Sequence, residues 1–525
     1  MSTDAKYSVN INPATGEEIG KTKENTVEDL AAAIATARIA QKEWGAKSFS
    51  ERAAHLFAIR NYIADNSHKI ADVISRNTGK TKIDALSTEV LPTTMAITYY
   101  AKNAQKFLKR KKLGTGNILT INKRSYLDHV PYGVIGIISP WNYPFGIPIH
   151  EIAMALMAGN AVVLKVATQT LEVSKIIDEC VKAGNLPEGL FSHLNIPGKI
   201  AGDAFIEQGI NKIFFTGSVS VGKYLMKKAS EKLTPLSLEL GGNDAMIVCR
   251  DADIPRAAAG ALWAGLSNSG QSCAGVERIL VDDFIYKEFT AELKQRLLAL
   301  RQGVDTDCNV EIGSLTTEQQ MNTVKSHLQD ALDKGASVFA GQAKIGDNNV
   351  GLFVTPAILE HVNMNMLTMR EETFGPLLAV DSFSTIDEAI TKANDSNLGL
   401  TASVWTQNKK QAHAIASRLE AGTIMINDHL MSHGLAETPW GGFKESGLGR
   451  THSFIGLEEM TQPRAVVDDI MPGMQKNFWW YPHSPKVYAA LDGAIQFLYS
   501  RDLAKRFNGI LKLIPEFLNC FKKQN

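Results

Sequence analysis

The chain has 525 residues, with 55 Lys+Arg, 55 Asp+Glu and 44% hydrophobic residues. It is too long for one small core, so two or three lobes are expected, and its balanced charge supplies no field that would draw nucleic acid or acidic surfaces. The first twenty residues contain no apolar signal core, no apolar run approaches the roughly 18 residues that span a bilayer, and the five cysteines form no C-x-x-C pair. A cytoplasmic protein acting on a small molecule is expected, without a zinc knuckle or a disulfide framework.

Taken in chain order, "KRKK" at 109–112 lacks interleaved aromatics and reads as a solvated turn. From about 130 to 265, short apolar runs alternate with helix-period stretches. "GVIGIIS" (133–139), "AVVLKV" (161–166) and "KIFFTG" (212–217) are each followed by a helical segment. That alternation predicts an α/β fold with a mostly parallel sheet, whose ligands bind at the carboxyl ends of the strands. After residue 242 the pattern restarts with "DAMIV", a helix, a polar loop around Cys273, "RILVDD" and a long helix, which predicts a second α/β lobe. "ETPWGGFKESGLGR" (437–450) is a loop by composition. From Met471 to Asn525 the chain is aromatic and amphipathic, with eight Lys/Arg against three Asp/Glu. Such a helical tail can lie on a membrane surface, but an appendage docked on its own or a neighbouring subunit is the favoured reading.

Four stretches carry candidate chemistry. "FFTGSVSVGKY" nearly spells a phosphate loop, but Tyr224 stands where the magnesium-holding hydroxyl belongs; a helix N-terminus suited to a pyrophosphate survives, as does an ordinary helix start. Glu239 ends an apolar run before Gly241 and Gly242, where desolvation would raise its pKa toward that of a general base, unless its carboxylate simply turns to solvent. Asn142, in "SPWNYPF", sits in a proline-stiffened turn, as an oxyanion donor must; turn formation alone also accounts for it. Cys273 lies among small polar neighbours, where its sulfur can be reached, and no Cys or His ligands stand nearby. The "HEIAM" at 150–154 lacks the second His of a zincin helix, and His429 and His433 lie in a loop-like stretch, so no metal site is expected.

"PWNYPF", "FTGS", "LELGG", "GQSCAGVER", "EETFGP" and "PWGGFKESGLGR", in that order, resemble the aldehyde dehydrogenase superfamily across about residues 8–470, with Cys273 lying 34 residues after Glu239 as in that family. The resemblance implies a Rossmann-like cofactor domain (1–118 and 133–241), an α/β catalytic domain (242–448) and a small β oligomerisation element (119–132 and 462–470). The C-terminal extension (471–525) has no counterpart in the common pattern. A homodimer or homotetramer is implied. So are Cys273 as nucleophile, Glu239 as general base, and Asn142 with the Cys273 backbone N–H as oxyanion donors. Trp141, Lys165, Thr168, Ser218, Val221, Leu240, Gly241, Glu372 and Phe374 fall at cofactor-lining positions, with Lys165 on the adenosine ribose and Glu372 on the nicotinamide ribose.

Two positions depart from the family pattern. Thr168 stands where NAD-preferring members often carry a glutamate, which removes repulsion against a 2'-phosphate, so the cofactor is read as NAD or NADP with a lean to dual or NADP use. Phe454 replaces a second glutamate and leaves no relay role there. Phe145, Met154, Met157 and Trp263 suggest a tunnel for a hydrophobic aliphatic or aromatic aldehyde, over whose mouth the apolar tail could lie, although each residue equally suits core packing. A semialdehyde would need a cation such as Arg124 or Arg278, which nothing in the sequence places. A CoA-acylating enzyme is disfavoured by Glu239, a cofactor-free thiol esterase is separable by assay, and a retired non-catalytic scaffold is disfavoured because Cys273, Glu239 and Asn142 are all present.

Overall fold

The computed structural model describes residues 6–346, 351–477 and 479–522. It divides into two compact units, Met1–Leu108 with Pro131–Gln462, and Lys109–Val130 with Pro463–Asn525.

The first unit is built on two sheets. One has six strands in the order Gly447–Leu448, Leu236–Glu239, Lys212–Thr216, Val134–Ile138, Ala161–Lys165, Phe191–His193. All its pairings are parallel except that of Gly447–Leu448 with Leu236–Glu239. The residues of Val134–Ile138 and Ala161–Lys165 are buried on both faces, which is why these strands read as continuous apolar runs rather than alternating ones. The helix Gly146–Ala158 is buried along its whole length, while Leu171–Lys182 and Val219–Ala229 have mixed apolar and polar faces.

The sequence patterning gave little sign of the N-terminal hairpin Tyr7–Ile11/Glu18–Lys23, or of the helices Val27–Ala46, Phe49–Asp65, Ser67–Thr78 and Leu91–Leu108, which complete this core. The first two helices start with reciprocal caps, Thr26 with Asp29 and Ser48 with Glu51, each satisfying two otherwise unpaired amides.

The other sheet has seven strands in the order Ser337–Gly341, Ala357–Glu360, Leu377–Phe383, Val276–Asp282, Asp244–Val248, Thr401–Trp405, Thr423–Ile426, with only the first pairing antiparallel. The polar loop around Cys273 connects the helix Ile254–Leu266 to the strand Val276–Asp282.

In the second unit, Lys123–Pro131 forms the middle of a three-stranded sheet between Thr461–Asp469 and Lys111–Lys112. Asp128 accepts from Arg110 (Nε, 2.6 Å) and from Arg464 (Nη2, 3.3 Å), and the hydrogen bond from Arg110 chiefly holds its carboxyl down at about 2. The tail forms two helices, Pro485–Tyr499 and Leu503–Asn519. They meet at Gly493 and Gly509, where a Cβ on either would strike the other's carbonyl oxygen. Several of their large apolar residues are exposed: Tyr488, Leu491, Ile495 and Tyr499 on one helix, and Leu503, Phe507, Leu511, Ile514 and Leu518 on the other. No described helix is long and apolar enough to cross a membrane.

Candidate active site

The chain runs from Val134–Ile138 outward to one side of its sheet and then returns to place Lys212–Thr216 on the other side. Ligands of open parallel sheets bind at such a reversal, beyond the carboxyl ends of the strands. A cavity lies there, lined by Pro140, Trp141 and Asn142 after one strand and by Thr216, Gly217 and Ser218 after the other, and it reaches Glu239, Cys273, Glu372 and Phe374.

Asn142 is held by groups remote in sequence. Lys80 and Glu89 form a fully buried ion pair at 2.7 Å. Glu89 accepts the N–H groups of Phe145 (2.8 Å) and Gly146 (2.9 Å), while Lys80 Nζ donates to the Asn142 carbonyl at 2.6 Å. The Asn142 side-chain Nδ2 donates to the Gln271 carbonyl at 3.1 Å, which brings the amide to the cysteine loop.

That loop is shaped before it is functional. Asn268 and Ser269 adopt left-handed φ values of 52° and 56°, an unfavourable conformation for residues with a Cβ. It is fixed by Asp84, which accepts from Ser267 Oγ (2.9 Å) and from the Asn268 N–H (2.9 Å). Gly270 follows with φ 78°, and a Cβ there would collide with the Gly375 carbonyl. Cys273 emerges part-exposed, its thiol pushed up by burial and then by the carboxyls of Glu372, Asp244 and Glu239.

Glu239 closes the strand Leu236–Glu239 and is 6% exposed, yet neither carboxylate oxygen has a hydrogen-bond partner. Burial, with the neighbouring Glu151 adding to it, raises its pKa well above the ordinary range. The "ETPWGGFKESGLGR" stretch clamps the segment that follows: Leu240 N–H donates to the Ser446 carbonyl (3.0 Å) and Ser446 Oγ donates to the Gly241 carbonyl (2.7 Å).

Among the expected cofactor residues, Trp141 and Phe374 meet edge to face at 5.5 Å. Glu372 accepts the Gly242 N–H at 3.0 Å, and a Cβ at Gly241 would strike its carboxylate. Ser218 caps the helix Val219–Ala229, and Val221 and Leu240 line the same cavity. Lys165 ends the strand beside Val134–Ile138, with its ammonium lowered to about 8 by burial, and Thr168 opens a short turn, its carbonyl accepting from Asn10 Nδ2 at 2.9 Å. Neither lines the cavity. A dinucleotide suits these residues: the switch-point crevice, a helix N-terminus for its pyrophosphate and a glycine leaving room beside a carboxylate for a ribose.

A second cavity meets the first at Cys273. It is walled by Pro92, Tyr143, Ile147, Trp263, Leu430, Met431 and Trp440, and no Lys or Arg is among its described lining residues. Of the expected tunnel residues only Trp263 lines it; Phe145, Met154 and Met157 are packed in the core. Arg278 is buried with its guanidinium spent on the carbonyls of Asn243, Lys392 and Ala393. A third cavity is lined by Glu239 and Cys273 and also by His150, His433 and His452. His429 does not join His433; its Nδ1 pairs with Ser403 Oγ at 2.7 Å.

A part-exposed thiol, an amide that donates to its loop and an unpaired buried carboxyl line one crevice at the sheet's switch point, an arrangement in keeping with an α/β oxidoreductase. The comparisons agree: the chain matches the aldehyde dehydrogenase family over residues 1–466 and belongs to it. It is 35% identical over 492 residues to a protein of Methylomonas sp. named 4,4'-diapolycopene aldehyde oxidase, covering 94% of this chain and 91% of that one. It is 36% identical to a putative succinate-semialdehyde dehydrogenase [NADP(+)] of Mycolicibacterium smegmatis, covering 93% and 95%. The crystal structure of Staphylococcus aureus betaine aldehyde dehydrogenase with NAD+ superposes with a TM-score of 0.85 at 30% identity, covering 91% of this chain and 94% of that one. The chain is thus an NAD(P)-dependent aldehyde dehydrogenase, oxidising an aldehyde to its acid.

Proposed function

We propose that this enzyme oxidises a hydrophobic aliphatic or aromatic aldehyde, with Cys273 as nucleophile, Asn142 and the Cys273 backbone N–H as oxyanion donors, and Glu239 as general base. One observation carries the substrate class: the cavity that reaches Cys273 is apolar and has no Lys or Arg among its described lining residues. A distal carboxylate entering it would lose its hydration without a paired cation. The semialdehyde alternative lacks that support, since Arg278 is committed to backbone carbonyls.

In this reading the Cys273 sulfur adds to the aldehyde carbon as its thiolate, the thiol proton having passed to solvent, and Glu239, whose oxygens have no competing partner, serves the later water step. The negative charge that develops on the aldehyde oxygen is met by the Asn142 amide, preset by Lys80 and the Gln271 carbonyl. Trp141, Ser218, Val221, Leu240, Gly241, Glu372 and Phe374 would hold a nicotinamide cofactor, which would supply the hydride acceptor, with Lys165 and Thr168 toward its adenosine end. The thioester left on Cys273 is opened by water that Glu239 deprotonates, which releases the carboxylate. Thr168 places no carboxylate against a 2'-phosphate, which favours dual or NADP use.

The outward apolar faces of Pro485–Tyr499 and Leu503–Asn519, with Arg501, Lys505, Arg506 and Lys512 among them, support peripheral contact with an anionic lipid surface. The enzyme is read as a cytoplasmic homodimer or homotetramer that can take such a substrate from lipid. Steady-state kinetics with aldehydes of increasing chain length against NAD and NADP test this: kcat/KM should rise with chain length, and a preference for succinate semialdehyde would refute it.

A further inference from the structure

We propose that His150, His433 and His452 form a binding site for a divalent transition-metal cation such as zinc, within the cavity that also reaches Glu239 and Cys273. His150 lies on the helix Gly146–Ala158, His433 on the turn Met431–Gly434 and His452 just before the helix Ser453–Glu459. One ring nitrogen from each lies within 4.8 Å of the other two.

The hydrogen bonding of the cluster is incomplete. His150 Nδ1 and His452 Nε2 share one contact at 2.7 Å, and His452 Nδ1 meets Thr451 Oγ1 at 3.0 Å. His150 Nε2, in a side chain 1% exposed, has no hydrogen-bond partner. The His433 ring lies against both others, with centroids 5.6 Å from His150 and 4.8 Å from His452. The His150–His452 contact meets one of the three imidazole lone pairs, and His150 Nε2 is left without the partner that a packed core normally supplies. A cation shared by the three meets that demand at once.

Zinc–nitrogen bonds of about 2.0–2.1 Å place two imidazole nitrogens about 3.3 Å apart on a tetrahedral ion, so side-chain shifts of about an ångström suffice. Three histidines leave a coordination position open. A carboxylate and a thiol, both zinc ligand types, wall the same cavity as Glu239 and Cys273. Occupancy therefore withdraws the base or the nucleophile and suppresses turnover. That consequence rests on the roles proposed for Cys273 and Glu239; the binding does not.

The test uses the full chain, stripped with a chelator and titrated with zinc chloride, with bound metal measured by mass spectrometry after dialysis. One equivalent is expected in the wild type and in Cys273→Ala. His433→Asn and His452→Ala, checked for fold by circular dichroism, should each weaken binding by about tenfold or more. Cobalt(II) should give tetrahedral ligand-field bands in wild type and in Cys273→Ala, an outcome independent of whether the histidine variants fold. No stoichiometric zinc in the wild type overturns the site, as does binding lost in Cys273→Ala and kept in both histidine variants. Zinc should also inhibit aldehyde oxidation reversibly; full activity at one bound equivalent overturns the inhibitory consequence while leaving the Cys273 mechanism standing.

Discussion

The ammonium group of Lys80 donates to the main-chain carbonyl of Asn142 at 2.6 Å while its charge is balanced by Glu89 at 2.7 Å, all of it out of water. The turn that presents the Asn142 amide is therefore held through an ion pair whose lysine lies 62 residues earlier in the chain. Removing one partner of a buried pair costs about 3–5 kcal/mol, because the other charge stays buried alone. Lys80→Met is expected to lose stability of that order in chemical denaturation and to lower kcat more than it raises KM. Unchanged stability and kcat would show that the turn needs no such support.

The Cys273 thiol is held above its ordinary pKa by burial and nearby carboxyls, so the thiol form dominates at neutral pH and the reactive thiolate grows as pH rises. Iodoacetamide alkylation of the cofactor-free enzyme should therefore accelerate by about tenfold per pH unit from neutrality upward. A rate that levels off below pH 8 would mean that the thiolate is already formed and that burial does not control this thiol.

Thr168 leaves the turn after Lys165 without a carboxylate. Thr168→Glu should cut kcat/KM for NADP relative to NAD by about tenfold, the effect of a like charge several ångströms from a 2'-phosphate near the surface. An unchanged ratio would place cofactor discrimination elsewhere.

The two C-terminal helices pack through Gly493 and Gly509 and keep Phe507 and Leu511 exposed. Each such side chain contributes about 1.5–3 kcal/mol when withdrawn from water. Phe507→Asp with Leu511→Asp should lower partition onto anionic vesicles by on the order of a hundredfold in sedimentation assays, with oxidation of a short soluble aldehyde retained. If the wild type does not sediment with vesicles, the exposed faces serve another partner.

The parallel strands were legible because buried strands read as apolar runs: 133–139, 161–166 and 212–217 became Val134–Ile138, Ala161–Lys165 and Lys212–Thr216. Cys273, Glu239 and Asn142 were picked out as candidates by the order and spacing of their motifs, and the fold brings them to one cavity. What supports them was not picked out. Lys80 lies between two helices and Asp84 and Glu89 on the helical stretch that follows, with no unusual local pattern, and they acquire meaning only when the fold buries them against residues far along the chain. His150 and His452 meet across 302 positions, so testing each histidine for local metal spacing failed to find the cluster. Core packing likewise took Phe145, Met154 and Met157, because an apolar residue in sequence does not reveal whether it faces a tunnel or another side chain.

The proposed mechanism has Cys273 capture the aldehyde and Glu239, buried with both oxygens unpaired, release the product. Rapid-mixing kinetics of Glu239→Gln with a medium-chain aldehyde and NADP test it most directly. A burst of reduced nicotinamide equal to the enzyme concentration is expected, followed by near-arrest, with a thioester on Cys273 visible by mass spectrometry. Steady turnover at the wild-type rate, or a thioester attached elsewhere, would contradict it.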